Sequence, residues 1–320
     1  MFIDKIPQHL TKPGISSGKV VEKVMLDLTV YLSGPSETEF DFLLGLYKKL
    51  CPPEKIVRYK ISELEYWPMV ASPDLTKSGR SADKRGIKYP FFEPTRVRLN
   101  AGRAFEARLW DDQEIDDPES SWSFACRGIL LRSTGLHSFV RFLLPLDTDV
   151  SVLKQVAIDI SENVEFFSGH GGMVFVYDTW MKNAAFQHIY AHARRFWGID
   201  IEDLNATLPL MKTSIKGISW TTLLGKNFIS SAGLRIDQLL KINDVDIEEN
   251  DFGIVITIGE KPVVGDQNRP DLSLNAYYKV AKILEPLFLQ DHPDFYGERF
   301  VEQGNTVGWF RRFIEPTGWR

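Results

Sequence analysis

The chain has 320 residues, 43% of them apolar and 25% charged, with a net charge of −5. Its 21 Phe and 8 Trp give bulk to a sizeable core, and the overall balance is that of an ordinary globular protein. The charge argues against nucleic-acid binding by the whole surface, which needs a basic face to displace counterions; two cysteines, Cys51 and Cys126, are too few for a secreted disulfide scaffold.

The opening MFIDKIPQHLTKPG has no apolar h-region and no small-residue cleavage site, so no signal peptide is expected. No apolar run approaches the roughly eighteen residues of a membrane span. These readings predict a cytoplasmic protein with reduced thiols and no membrane association.

In chain order, residues 1–19 read as an irregular lead-in. Val24, Leu26, Leu28, Val30 and Leu32 alternate as in a half-buried strand over 20–32. Ser36 followed by Glu39 is a capping box for a helix carrying Phe40, Leu43, Leu44 and Tyr47, stopped by Pro52-Pro53. A second strand is expected over 59–70, and a weakly patterned connection over 71–103. Strand-like runs follow at 104–110, 122–132 and 138–146. Asp149 or Ser151 is placed to cap a helix from Val152 to about Phe166.

The Gly-rich 168–172 reads as a turn into a central strand over 173–177, and 179–197 as a helix with Gly198 as its C-cap. Residues 220–230 read as helical, stopped near Gly233. GIVITIG at 253–259 is a strong strand, and Asp271 or Ser273 opens a helix with Tyr277, Val280, Ile283, Leu284 and Leu287 on one face. Strands and helices thus mix without βαβ alternation, which predicts an α+β fold. Interruptions at Gly198, Pro209 and Lys216-Gly217 suggest two lobes, 1–195 and 196–320, each a mainly antiparallel sheet covered by one or two helices.

Tests for chemistry find no complete constellation. His188 and His192 are four apart on the predicted helix, as for a shared metal. The residue after His188 is Ile189, however, so the HExxH pattern fails, and a pair of hydrogen-bonded or surface histidines is the plainer reading. Gly169-His170-Gly171-Gly172 is similar to an oxyanion loop, but the chain has no G-x-S-x-G nucleophile elbow. Neither GxGxxG nor GxxxxGK[ST] occurs. A metal-dependent nuclease would want an acid and a lysine two apart on one strand face; Glu260 and Lys261 are adjacent and point to opposite faces. The acids Asp244, Asp246, Glu248, Glu249 and Asp251 fail as an EF-hand because Glu249 stands where Gly is needed. No catalytic, cofactor or metal residue is assigned. The competing reading is a metal-dependent hydrolase using His170, His188 and His192 or the 244–251 acids.

Charge is segregated in two places. Asp111, Asp112, Glu114, Asp116, Asp117 and Glu119 lie between Trp110 and Trp122 without a basic residue. This reads as the extended, hydrated tip of a long hairpin. Such a patch steers a basic partner more than it adds affinity, so these six acids are the candidate partner-binding residues. The basic stretch over 77–103 reads as a phosphate-binding segment or, the plainer reading, as one that folds back on the acidic loops of its own chain or is merely solvated; it lacks the interleaved exposed aromatics that would support base stacking.

GGMVFVYD (171–178), RFWGIDIEDLN (195–205), IKGISWTTLLG (215–225), GIVITIGEKPVVGD (253–266) and AYYKVAKILEPL (276–287) together resemble the type VI secretion immunity family over roughly residues 20–315. The resemblance implies a bacterial antitoxin in the cytoplasm. It implies tight protein–protein binding to a secreted effector toxin, often a nuclease, with no cofactor and no reaction catalysed. The family offers no catalytic residues to carry over.

Overall fold

The computed structural model describes residues 10–13, 20–62, 69–71, 80–82, 88–90, 104–111, 121–128, 138–211, 213–234, 236–269 and 274–319. Its strands are β1 (Lys12–Pro13), β2 (Val20–Leu32), β3 (Arg58–Ser62), β4 (Met69–Ala71), β5 (Arg80–Ala82), β6 (Lys88–Pro90), β7 (Phe105–Trp110), β8 (Ser123–Gly128), β9 (Ser138–Leu144), β10 (Phe166–Tyr177), β11 (Ile199–Ile201), β12 (Thr221–Gly225), β13 (Val245–Glu249) and β14 (Gly253–Ile258). The longer helices are α1 (Glu37–Leu50), α2 (Val150–Asn163), α3 (Lys182–Ala193), α4 (Lys226–Ala232) and α5 (Asn275–Leu284).

The α+β class is as expected. One sheet runs β13-β14-β12-β10-β2-β9-β8-β7-β3-β4, with β1 added on β2 and β11 on β10; β5 and β6 form a separate pair. Every pairing is antiparallel except β10 with β11. Strands from both sides of residue 196 join edge to edge, because β12 pairs with β10. The sheets expected of two lobes are therefore continuous.

Period-two alternation gives the sheet two unlike faces. On β2, Val24, Leu26, Leu28, Val30 and Leu32 share a face with Phe142 and Phe124. Helix α1 lies on it: Phe40 meets Phe105 edge-on at 5.4 Å, and Tyr47 meets Phe124 at 5.4 Å. The predicted capping box is present, with Ser36 Oγ accepting from Glu39 N–H and Glu39 accepting from Ser36 N–H. Helix α2, capped by Asp149, reaches the same face, where Lys154 bonds to Asp246. The other face carries Met25, Asp27, Thr29 and Tyr31, and it is here that the polar residues gather.

Several local expectations are revised. The stretch 59–70 is two strands, β3 and β4, paired with Tyr59 opposite Ala71. The Gly-rich segment is no turn: β10 begins at Phe166 and runs through it. Glycine suits this position because a Cβ on Gly169 would lie 2.9 Å from the Thr29 carbonyl oxygen of the neighbouring strand. Residues 221–225 are strand β12, since a Thr-Thr-Leu-Leu run between β10 and β14 fits a pleated, doubly flanked position; the helix there is only α4. Helix α3 ends at Ala193, so Gly198 does not cap it. A Cβ on Gly198 would come within 1.8 Å of the Val263 carbonyl oxygen, so close backbone approach sets the residue. The expected caps Asp271 and Ser273 lie outside the described residues.

The C-terminal turns gather much of the aromatic content. Phe295 packs with Phe300, Trp309 and Phe310, and Trp319 stacks on Phe300. Arg312 sits 3.9 Å over the Trp309 ring, and burial pulls its guanidinium down to about 10. Backbone bonds from Ile215 N–H to Leu287 and from Leu289 N–H to Ile215 fix the segment that carries Lys216.

Candidate functional site

At the centre of the polar face lies a buried ion network. Register assembles it: Thr29 stands opposite Arg141 on one side and His170 on the other, and Asp27, two residues along, shares their face. Arg141 Nε donates to Asp27 Oδ1 at 2.6 Å, and the Thr29 hydroxyl donates to Asp27 Oδ2 at 3.0 Å. The parallel strand β11 sets Asp200 opposite Val174, turning Ile199 and Ile201 to the apolar side; Glu202 follows. His170 Nε2 lies 3.0 Å from Glu202 Oε2, 3.6 Å from Asp200 and 3.7 Å from Asp27. Lys216 closes the group, its Nζ donating to Asp200 at 2.7 Å, Glu202 at 2.8 Å and the Ile201 carbonyl at 2.7 Å.

The six ionisable side chains, Asp27, Arg141, His170, Asp200, Glu202 and Lys216, are largely withdrawn from water, so the buried charges depend on their neighbours. Burial alone would raise Glu202, yet Lys216, His170 and Arg141 hold it well below the usual carboxylate range. Burial would lower Lys216, but Asp200 and Glu202 raise it. Arg141 is likewise raised by Asp27 against the effect of burial. Burial and then the three carboxylates push the Tyr31 hydroxyl well above its ordinary value.

Donor atoms of Asp27, His170 and Glu202 lie within 4.8 Å of one another, a spacing that suits a metal ion. The Lys216 ammonium, however, already contacts two of the three carboxylates, and Arg141 takes Asp27. The arrangement is a salt-bridge network joining β2, β9, β10, β11 and the 215–219 segment, in which Glu202 Oε1 and His170 Nδ1 are buried without a hydrogen-bond partner.

Beside the network, a cavity of about 150 Å³ is lined by Arg108, Trp110, Ser123, Arg141, Tyr177 and Lys182 among others. It lies toward one end of the sheet. There Tyr177 stands opposite Glu22, Leu144 opposite Leu26, Ser123 opposite Leu143, and Trp110 opposite Ser123. The β7–β8 hairpin turns at this end, as the sequence predicts. Asp111 Oδ1 accepts from the N–H groups of Ser121 at 2.9 Å and Trp122 at 3.1 Å, closing the base of the hairpin. Asp112, Glu114, Asp116, Asp117 and Glu119 lie outside the described residues. So do the basic side chains of 77–103; β5 and β6 are described there as backbone alone.

The histidines do not converge. His188 Nδ1 bonds to Glu22, and His188 Nε2 lies 3.1 Å from His192 Nε2, making the hydrogen-bonded pair expected. Glu22 is seven residues along β2 from Thr29, the partner of His170. That places the two sites roughly 23 Å apart at about 3.3 Å per residue. The 244–251 acids lie on and around the edge strand β13, where Lys154 also approaches Glu248 at 3.9 Å. Sequence reasoning did not find Asp27, Arg141, Asp200, Glu202 or Lys216 as a group. Lys216 is 14 residues from Glu202 and 46 from His170 along the chain, so only the pairing of β10, β11 and β12 brings them together.

In fold, the chain matches a solved type VI secretion protein. It aligns with "Pseudomonas aeruginosa T6SS protein PA0821" over 97% of this chain and 89% of that one, with a TM-score of 0.73 and 18% identity; at that identity the likeness shows the shared fold. A family model described as type VI immunity for VRR-NUC, TsiV, matches residues 66–313. The chain belongs to this family of type VI immunity proteins. No curated protein matches it in sequence. Among the described residues, no helix is long and apolar enough to cross a membrane.

Proposed function

We propose that this protein binds a type VI effector of the VRR-NUC nuclease kind and neutralises it by masking its active site or nucleic-acid groove, catalysing no reaction itself. The family match over residues 66–313 carries the reading. The ion network supports it: Lys216 donates to Glu202 and Arg141 to Asp27, so protein cations already sit against two of the groups that a metal-dependent hydrolase would offer to a metal. Neutralisation before the effector reaches nucleic acid places the protein in the cytoplasm.

The effector surface to be masked must hold phosphates and is therefore basic. The acidic stretch Asp111, Asp112, Glu114, Asp116, Asp117 and Glu119 is the complementary element, acting through steering and selectivity. Asp111 has a second role at the hairpin base, so a clean test leaves it in place and replaces the other five with Asn or Gln. Association with the purified effector should slow about tenfold or more at low salt and lose much of its salt dependence. Unchanged association kinetics would remove the loop from the interface.

A further inference from the structure

We propose that the cavity beside the ion network binds a small free α-amino acid, with Lys182 and Arg141 receiving its carboxylate and Asp203 its ammonium. This site goes beyond the immunity reading and does not depend on it. The cavity's volume of about 150 Å³ compares with that of an engineered cavity that holds benzene. Its lining sets a few polar groups into an apolar wall, the usual composition of a small-molecule site.

Not all the charges along this cavity are matched within the chain. Arg108 donates to Glu106, and Glu202 accepts from Lys216. Three other charges are left. Asp203 is only 9% exposed, yet its carboxylate accepts no helix-cap bond and pairs with no cation among the described residues. Lys182 Nζ lies 4.2 Å from the centre of the Tyr296 ring and makes no ion pair among the described residues. Arg141 Nε donates to Asp27, while its Nη2 is buried without a hydrogen-bond partner. Groups withdrawn from water without partners are costly, and a ligand that supplies the partners offsets that cost.

The three groups converge from separate elements. Arg141 stands on β9, Lys182 opens α3, and Asp203 follows β11 by two residues. Tyr177, at the end of β10, registers their nearness: burial and then the Asp203 and Glu202 carboxylates raise its hydroxyl, and Arg141 opposes them. The lining therefore presents both signs to one space. A plain anion would meet Asp203 and Glu202, and a plain cation would meet Lys182 and Arg141. An α-amino acid brings both charges in a small body, and guanidinium and ammonium donors make their stronger hydrogen bonds to a carboxylate. The wall of Met25, Leu143 and Val176 favours a short aliphatic side chain, such as that of valine.

The test uses the full-length protein and L-valine, with isovalerate and isobutylamine as the same skeleton lacking the ammonium or the carboxylate. Calorimetry should give a dissociation constant of about 1 mM or tighter for valine, with each analogue about tenfold weaker or more. With methionine methyl groups labelled for NMR, valine should move the Met25 signal. Asp203→Asn and Lys182→Met should each weaken valine about tenfold, with thermal unfolding showing that the variants fold. Trp180 is 93% exposed on the adjacent turn and outside the lining, so Trp180→Ala should leave valine binding unchanged. Valine binding weaker than about 10 mM, or an analogue binding as tightly as valine, would overturn the proposal. A Met25 signal that stays in place in the wild-type protein would also overturn it, whatever the variants do. Folded Asp203→Asn and Lys182→Met proteins with affinities within about twofold of wild type would overturn the assignment to this cavity.

Discussion

The network around His170 and the sheet end around Trp180 are both polar–aromatic sites on one molecule, and they are built in opposite ways. At the centre, Asp27, Asp200 and Glu202 are matched by Arg141, Lys216 and an imidazole, each at hydrogen-bond or ion-pair distance. At the sheet end, an indole is left in water and an acidic stretch departs from Asp111 without a basic residue in it. Buried charges stabilise only when their partners are complete, whereas recognition needs groups whose partners lie on another molecule. The most active-site-like residues thus organise the frame, and the exposed indole of Trp180 lies outside it.

The contrast breaks first at Lys216. Lys216→Met leaves Asp200 and Glu202 buried with their main cation removed, and should destabilise the protein by about 3–5 kcal/mol, measured by denaturant unfolding. The effect should depend on pH. Glu202 is depressed in the folded protein, so its contribution is present above the ordinary glutamate value of about 4.3 and is lost as pH falls through the lower folded value. Wild-type stability should therefore fall in acid. The variant, whose unpaired carboxylates gain by protonation, should show a deficit that narrows between about pH 7 and pH 4. A loss below about 1 kcal/mol, or a deficit independent of pH, would mean that the network does not hold the sheet together.

A smaller effect sharpens the same comparison away from both sites. Ser36→Ala removes the side-chain half of the α1 capping box and should cost about 1 kcal/mol in the same unfolding assay, with effector affinity unchanged. A comparable loss of affinity would show that α1 communicates with the interface, and the division between frame and recognition would fail there.

Much of the fold is legible in local sequence. The β2 alternation, the Ser36–Glu39 box, the β7–β8 hairpin and the GIVITIG strand each follow from spacing within a few residues of one another. What escaped depends on distant pairing. The continuity of the sheet rests on β12 meeting β10 some 50 residues apart in register, Gly171 opposite Thr221, and no local signal marks that join. Gly169 looked like part of a turn because glycine is permissive, yet it is set by a carbonyl on β2. Trp180 escaped for a different reason: residue type predicts burial, and only the turn geometry shows the indole in water. His170 stands out in sequence among its glycines, but its place in the network depends on Asp27, Glu202 and the cations Lys216 and Arg141 that only distant pairing sets around it.

The central claim is neutralisation by binding, and titration of the effector's nuclease activity tests it most directly. With effector well above the dissociation constant, activity on DNA should fall linearly with added protein and reach zero at one equivalent, with both chains recovered intact. Progressive loss of activity at a small fraction of an equivalent, increasing with time, would mean that the protein acts as a catalyst and would contradict the account.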